Sequence, residues 1–230
     1  MSQFASVSTI KDTTVHTLPP GVVDGDFLLL IGLGAWWQNP VLPSGWNTII
    51  ANEYNGTSGS NRLRYSIAWR EASSEPASYT WGSYAPEIAT MVRLTDIVGY
   101  DAFIRSDNQA ATTTPTFPDL TTGVSNGLII RGYVCSNDAV LTTVPTGYTS
   151  RVSEIGNYVQ YDYGLTLLEG DDLQASAGAT GTEQGTADKS VSLHEPFTLS
   201  FESSLGGGED ASQGHSLFDH PCGPLRKRVF

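Results

Sequence analysis

The chain has 230 residues, of which 39% are hydrophobic and only 16% are charged, so it is long enough and apolar enough to bury a substantial core. Its 12 basic and 24 acidic residues give a formal net charge of −12, which repels phosphate backbones and anionic membranes and excludes a nucleic-acid-binding body. The 24 glycines and 12 prolines, together with many serines and threonines, are typical of short strands joined by turns and favour an all-β protein.

The predicted elements begin with a leading strand within residues 1–18. The start of the sequence lacks a basic stretch followed by an apolar core, and the longest apolar run, Phe27 to Ile31, is too short to cross a bilayer. The two cysteines, Cys135 and Cys222, do not form the framework expected of a small secreted domain. We therefore expect a soluble protein that folds in a reducing compartment, with no signal peptide and no transmembrane segment.

An internal repeat follows the leading strand. Residues 21–25 read Gly-Val-Val-Asp-Gly, residues 123–127 read Gly-Val-Ser-Asn-Gly, and an apolar strand follows each motif. Both copies then reach a Pro-x-Gly-aromatic turn, at residues 43–46 and 145–148, and both pairs of motifs are 102 residues apart. Two turn motifs in one register predict a duplication, although each motif alone is ordinary turn chemistry.

Each copy continues with a strand in which apolar and polar residues alternate, within 62–70 and 159–167. Each copy closes with another apolar strand, at 88–94 and 197–201. No segment has a sustained helical period, so we expect almost no helix. Strands at this spacing, with turn residues between them, predict a β-sandwich or jelly roll.

The predicted domain covers residues 1–205 and consists of two duplicated halves, about 19–105 and 119–205. A polar, proline-punctuated stretch at 107–118 is expected to join them. A core shared by both halves is favoured, because separate halves with so few strands would leave sheet edges exposed. Residues 206–230 are Gly-rich and polar, and they predict an extended C-terminal arm with no core of its own.

Two acidic clusters are the candidates for chemistry. Asp24 and Asp26 in one turn, and Glu169, Asp171 and Asp172 in another, have the side chains needed for glycoside hydrolysis or calcium binding. Acidic residues beside glycine are also typical of turns, where they form local hydrogen bonds, and we favour this interpretation. Because the sequence contains neither a nucleophile elbow nor a phosphate-binding loop, it predicts a protein that is not an enzyme and needs no cofactor.

A further set of potential metal ligands lies in the arm. His215, Asp219, His220 and Cys222 offer imidazole, carboxylate and thiolate groups, of which imidazole and thiolate suit zinc. Their spacing matches no common zinc motif, and a Gly-rich segment does not preorganise ligands, so we expect no metal site.

Aromatic residues are the main candidates for interaction. Trp46 in the repeated turn and Trp69 on the apolar face of a strand are better explained by core packing. Adjacent residues of a strand point to opposite faces, so at least one of Trp36 and Trp37 is expected to be exposed at a strand end or loop. An interface or a ligand would use such a side chain.

Two other groups remain open between a structural and an interacting role. One is an aromatic cluster that follows the alternating strand, and the other is a basic run that is either a solvated tail or a contact for an acidic partner. The candidate interaction residues are therefore Trp36, Trp37, Tyr79, Trp81, Tyr84, Arg226, Lys227 and Arg228.

Four successive segments resemble a pattern common in bacteriophage and prophage virion proteins. They are Gly25-Asp26-Phe27-Leu28-Leu29, Pro43-Ser44-Gly45-Trp46, Tyr65-Ser66-Ile67-Ala68-Trp69 and Glu75-Pro76-Ala77-Ser78-Tyr79-Thr80-Trp81. The proteins with this pattern look like β-sandwich modules of tail fibres, head decorations and other particle appendages. The likeness covers about residues 19–95, and the second half shares only the duplicated turns and lacks the Glu-Pro-x-x-Tyr element.

The resemblance implies a non-enzymatic virion structural protein, made in the host cytoplasm, and first of all a capsid decoration or cement protein. It implies other virion proteins as partners, either the major capsid protein or tail components, and a homo-oligomer, with no nucleic acid and no membrane. An alternative is a tail-fibre or receptor-binding module that binds host-surface carbohydrate through exposed aromatic residues. A more remote alternative is a glycosidase that uses the acidic loops.

Overall fold

The computed structural model describes residues 3–35, 40–55, 63–82, 84–106, 111–136, 138–158, 161–191 and 193–205. Within these ranges every regular element is a β-strand, which confirms the all-β prediction, and no helix capable of crossing a membrane is present. The strands are β1 (Phe4–Ile10), β2 (Val15–Thr17), β3 (Phe27–Ala35), β4 (Asn47–Asn55), β5 (Leu63–Glu71), β6 (Ser78–Thr80), β7 (Ile88–Leu94), β8 (Ile97–Arg105), β9 (Thr116–Phe117), β10 (Thr121–Thr122), β11 (Gly127–Cys135), β12 (Leu141–Thr143), β13 (Tyr148–Tyr158), β14 (Tyr161–Gly170), β15 (Gly178–Ala179), β16 (Glu183–Gln184), β17 (Thr186–Ala187) and β18 (His194–Ser203).

The ten longest strands form two five-stranded antiparallel sheets. The first sheet has the order β1-β7-β3-β5-β4, and the second has the order β13-β14-β11-β18-β8. The remaining strands pair in twos, as β2 with β6, β9 with β16, β10 with β15 and β12 with β17. The first sheet is therefore formed by residues 4–94, and the second by residues 97–203.

The two sheets pack face to face over one core. Phe27, Leu29 and Ile31 on β3 point into it from the first sheet, and Leu128 and Ile130 on β11 point into it from the second. Aromatic rings connect the sheets at several points. The rings of Phe27 and Phe201 meet edge to face (5.5 Å), whereas those of Trp69 and Tyr100 (6.1 Å) and of Tyr65 and Phe197 (6.4 Å) stack.

Each sheet also has a second apolar layer on its outer face. Over the first sheet, Tyr79 and Trp81 cover Leu28 and Leu30 of β3. Over the second sheet, Phe117 and Leu141 take part in a separate cluster with Tyr133, Leu168 and Val191. The central strands β3 and β11 are consequently buried on both faces, which is why their sequences are almost continuously apolar instead of alternating.

Glycines in the central strands admit large aromatic rings. A Cβ atom on Gly32 of β3 would lie 2.3 Å from the ring of Trp81, and one on Gly132 of β11 would lie 1.9 Å from the ring of Phe197. Only a glycine allows such an approach of ring to backbone, so these residues are fixed by packing.

The two sheets share a topology. Starting at the edge that holds the leading strand, the orders are β1-β7-β3-β5-β4 and β8-β18-β11-β14-β13, so equivalent positions hold strands in equivalent chain order. The two Pro-x-Gly-aromatic turns also agree in conformation, because Gly45 and Gly147 both have a φ of 82°. These features are what a duplication predicts, and the duplication itself remains a prediction.

Candidate functional site

The first acidic cluster supports a turn. Asp26 is buried, and its carboxylate accepts hydrogen bonds from the backbone N–H of Val23 (2.7 Å) and from Nε of Arg93 (2.7 Å). Asp24 accepts a hydrogen bond from the backbone N–H of Ser74 (2.6 Å). These contacts confirm the turn interpretation for this cluster.

The second cluster holds the start of β1 against the second sheet. Glu169 lies in β14 instead of a turn, and its side chain is buried. Its Oε1 accepts the backbone N–H groups of Gln3 (2.5 Å) and Phe4 (3.1 Å), while Oε2 accepts from Nε of Arg151 (2.7 Å). The carboxylate therefore satisfies backbone donors at the place where β1 begins. Asp171 accepts from Oγ1 of Thr149 (2.6 Å).

The structure separates the predicted aromatic residues. Trp46 and Trp69 pack on the outer and inner cores of the first sheet, which confirms their assignment to core packing. Tyr79 and Trp81 are buried in the outer layer, whereas Tyr84 is 47% exposed. Trp36, Trp37, Arg226, Lys227 and Arg228 lie outside the described residues, as do His215, Asp219, His220 and Cys222.

Tyr84 lies near a second exposed apolar side chain. The backbone N–H of Gly82 donates to the carbonyl oxygen of Val41 (2.9 Å), and Val41 is 45% exposed. A Cβ atom at Gly82 would lie 2.6 Å from Cβ of Val41, so the loop before β7 packs tightly on this residue. Val41 and Tyr84 are thus two exposed apolar residues on adjoining segments beside the outer layer of the first sheet, and we call them the exposed pair.

Arginines sit beneath the aromatic residue of each repeated turn. The guanidinium of Arg70 lies 6.0 Å from the ring of Trp46, and that of Arg131 lies 5.1 Å from the ring of Tyr148. Arg131 is fully buried and donates to the carbonyl oxygens of Gly181 (2.9 Å), Thr180 (3.3 Å) and Pro118 (3.3 Å). The sequence did not predict this role, although a charged residue inside an apolar strand is a usable signal.

A polar network crosses the sandwich between β5 and the pair β8 and β18. The hydroxyl of Tyr65 donates to the buried carboxylate of Glu195, which also accepts from Arg105 (3.0 Å). Arg105 reaches a second carboxylate on Glu53 of β4 (2.6 Å). Burial raises the pKa of the Tyr65 phenol, and the charge of Glu195 raises it further, so the hydroxyl remains a donor. This network joins the two sheets.

Glu87 is a buried carboxyl group at the start of β7. Both of its oxygens are buried, and the side chain lies beside the carboxyl group of Asp12. Burial raises the pKa of Glu87 to about 8, and the nearby carboxyl group of Asp12 contributes to the rise. The group is therefore mostly protonated at neutral pH, a state that avoids placing a lone negative charge in the interior.

A cleft of about 380 Å³ opens beside Gln3, and we call it the Gln3 cleft. Its apolar wall is formed by Leu128, Leu173 and Leu205, and its polar wall by Gln3, Asp171 and Asp172. The residues come from four places in the chain, namely the start of β1, the start of β11, the end of β14 with the residues after it, and the end of the described chain. Among the described residues, no group of three or more His, Cys, Asp and Glu side chains is placed to hold a metal ion.

The Gln3 side chain is only half satisfied. Its amide nitrogen donates to Oγ of Ser203 (2.6 Å) and to the carbonyl oxygen of Asp96 (3.2 Å). The Asp96 carbonyl can only accept, so this contact fixes which end of the amide is the nitrogen. The opposite atom, Oε1, is buried without a hydrogen-bond partner in the described structure. The polar wall thus consists of two exposed carboxylates, on Asp171 and Asp172, and a buried amide oxygen that has no donor among the described residues.

A second cleft, of about 540 Å³, lies on the outer layer of the second sheet beside the second Pro-x-Gly turn. Hydroxyl, amide and carboxylate groups line it, and two of its lining residues are joined by a hydrogen bond from Nε2 of Gln184 to Oγ1 of Thr116 (3.0 Å). We call it the threonine cleft, after Thr116, Thr146 and Thr182.

Comparison of the chain with protein-family models, with curated proteins and with solved structures finds no match in any of the three.

Proposed function

We propose that this chain is a non-enzymatic structural protein of a bacteriophage-type particle, and within that class a capsid decoration or cement protein. The observation that carries the proposal is a sandwich whose sheets share one core and are each covered on the outer face as well. Such a body is a rigid block, because its central strands have no free face. Its buried acidic residues have structural contacts: the carboxylates of Asp26 and Glu169 accept hydrogen bonds from backbone N–H groups and form ion pairs with arginines.

The resemblance of residues 19–95 to virion modules is the reason for proposing a component of a virus particle. The proposed partners are other virion proteins, either the major capsid protein or tail components, and the chain acts as a homo-oligomer. The exposed pair Val41 and Tyr84 is the described surface that best suits such a contact, because apolar side chains, and tyrosine in particular, favour interfaces. The proposed location is the virion.

Particles assembled without this protein test the proposal. We expect them to release their contents at a lower temperature than complete particles, and purified protein should restore the difference. A Val41→Thr, Tyr84→Ser double variant should restore less, because it removes the apolar contact. Val98→Thr is the matched control, since Val98 is 61% exposed but lies on β8 of the second sheet. Particles of normal composition and stability without the protein would refute the cement role.

A second candidate is a tail-fibre or receptor-binding module that binds host-surface carbohydrate. The threonine cleft favours it, because its hydroxyl, amide and carboxylate groups can exchange hydrogen bonds with sugar hydroxyls. In this role the isolated protein would bind host cells or a defined glycan.

A glycan array separates this candidate from the first. Glu183→Ala with Gln184→Ala should abolish glycan binding that depends on the threonine cleft, and Trp36→Ala with Trp37→Ala should abolish binding that depends on those tryptophans. Glu202→Ala is a suitable control, because this exposed residue lies on β18 outside the residues that line the cleft. If the wild-type chain binds no glycan and no host cell, the receptor-binding role is wrong.

A further inference from the structure

We propose that the Gln3 cleft binds the basic segment of residues 224–230 of the same chain. This segment reads Pro-Leu-Arg-Lys-Arg-Val-Phe and contains the candidate residues Arg226, Lys227 and Arg228. The proposal concerns the chain by itself and is independent of the particle role.

The polar wall of the cleft selects a cationic occupant. Asp171 and Asp172 are carboxylates on its rim, and the buried Oε1 of Gln3 has no donor within the described structure. All three groups accept hydrogen bonds, so an occupant must supply donors, which guanidinium and ammonium groups do without offering competing acceptors. An anionic occupant would meet two carboxylates and leave Gln3 unsatisfied.

The apolar wall matches the residues that flank the basic run. Leu128 is 1% exposed, while Leu173 and Leu205 are half-buried and form the open side of the cleft. The segment carries Leu225 before the basic residues and Val229 with Phe230 after them. Arginine and lysine also have apolar stems that pack on such a wall while their charged ends reach the carboxylates.

Charge distribution favours the same occupant. Residues 206–230 contain three acidic and three basic residues, so the net charge of −12 lies entirely on residues 1–205. Within the arm the acidic residues come first, at 209, 210 and 219, and the basic run follows at 226–228. The basic run is therefore a compact positive charge attached to a strongly negative body.

The chain connection makes the contact intramolecular. Leu205 lines the cleft, so the arm starts at the site that the segment would occupy. The intervening residues 206–223 are rich in glycine, and a chain of this length can reach at most roughly 60 Å, which is far more than a return to the cleft requires. A segment tethered in this way is present at an effective concentration of roughly millimolar, so even a weak contact is populated.

Carbodiimide cross-linking of the full chain tests the proposal, because it joins an amine to a carboxylate that touches it. The sequence has three lysines, and two of them form ion pairs in the structure, Lys11 with Glu154 (3.1 Å) and Lys189 with Asp138. These two links are internal standards for the reaction. We expect the third lysine, Lys227, to couple to Asp171 or Asp172 within monomers, as identified by peptide mass spectrometry.

Variants make the assignment specific. An Asp171→Asn, Asp172→Asn double variant should reduce the yield of Lys227 links by at least tenfold and keep both standards, which also shows that the body is folded. Asp138→Asn should remove only the Lys189 link. The proposal is wrong if Lys227 fails to couple while both standards form, or couples mainly to carboxylates outside the cleft. Mixed isotope-labelled chains that link only between two copies would also overturn it.

Discussion

Individual buried polar residues explain much of how the layers hold together. Arg131 is fully buried, yet it lies among backbone carbonyl oxygens and the ring faces of Phe117 and Tyr148. Carbonyl dipoles and aromatic faces replace water around the guanidinium, so its charge is tolerated in the interior. Arg131 contacts Pro118, which precedes β11 in the chain, and Thr180 and Gly181, which follow it. It therefore joins the outer loops to the second sheet.

Arg131→Met should destabilise the protein by about 2–4 kcal/mol, because several buried carbonyl oxygens lose their donor. Urea denaturation monitored by tryptophan fluorescence measures this change. Lys189→Met is the control, since its ion pair with Asp138 is substantially exposed and should contribute less than about 1 kcal/mol. Equal effects of the two substitutions would show that the buried contacts of Arg131 do not stabilise the outer layer.

Glu87 should make stability depend on pH. Its pKa is raised in the folded state from 4.5 to about 8, so the folded chain holds a proton that the unfolded chain releases. The stabilising contribution of protonated Glu87 to the free energy of unfolding is therefore fully present below pH 4.5 and is lost as the pH rises through about 8. The result is a protein that Glu87 destabilises in mildly alkaline solution.

Glu87→Gln keeps the shape of the side chain and removes the titration. We expect wild type and variant to have similar stability at pH 5, and the variant to be more stable at pH 9 by on the order of 2 kcal/mol. Subtracting the stabilities of the two chains at each pH cancels the pH dependence that other titrating groups cause. One such group is His16, because burial lowers its pKa to about 4. A difference that does not change between pH 5 and pH 9 would contradict the assignment.

At the scale of elements, the repeated turns are the features that the sequence predicts best. Both turns contain a glycine with a φ of 82°, a left-handed conformation that side chains with a Cβ rarely adopt. The motif is recognisable because backbone geometry requires the residue type. The eight strands of only two or three residues outside the two large sheets lack this advantage, since so short a segment has no periodicity to detect.

Gly147→Ala should destabilise the protein by about 1–2 kcal/mol through backbone strain alone, because no atom lies within 4 Å of the position where its Cβ would be. Thermal or urea unfolding measures the loss. Gly99→Ala is the control, since Gly99 has no positive φ and its added Cβ would meet only Glu202 at 3.8 Å. An unchanged stability of Gly147→Ala would show that the turn accommodates a side chain.

The two repeated turn motifs do not show where each half of the sandwich begins and ends. The sequence places residues 97–105 at the end of the first half, whereas β8 pairs with β18 in the second sheet. The leading strands β1 and β8 carry no shared motif, so nothing in the sequence marks them as equivalent. The stretch 107–118, predicted as a connection, includes Phe117 in the outer core of the second sheet.

The candidate site was predictable only in part. Acidic residues beside glycine indicate turns, and this holds for Asp24 and Asp26, but Glu169 lies in a strand and binds the backbone of Gln3. The Gln3 cleft combines residues that are more than 100 positions apart in sequence, and such proximity follows from sheet order, which composition and spacing do not encode.

At the scale of the whole molecule, the two sheets depend on each other. Tyr65 of the first sheet donates to Glu195 of the second, and the apolar faces of both sheets meet in one core. Each sheet alone would expose that face to water, which removes the main favourable contribution to folding. The sandwich should therefore unfold as one unit.

Separate chains of residues 1–95 and 96–205 test this dependence, because the division falls between β7 and β8. We expect each fragment alone to lack a cooperative unfolding transition, and the mixture to recover dispersed amide signals in nuclear magnetic resonance spectra. The intact chain should show one calorimetric transition. A fragment that folds cooperatively by itself would contradict the shared-core description.

The particle role is the central claim, and the composition of purified particles tests it most directly. Particles produced from the genome that encodes this chain should be separated on a density gradient and their proteins quantified by mass spectrometry. The proposed role predicts that the chain sediments with the particles in a fixed, multiple copy number relative to the major capsid protein or a tail component. Its absence from particles whose other structural proteins are fully recovered would contradict the claim.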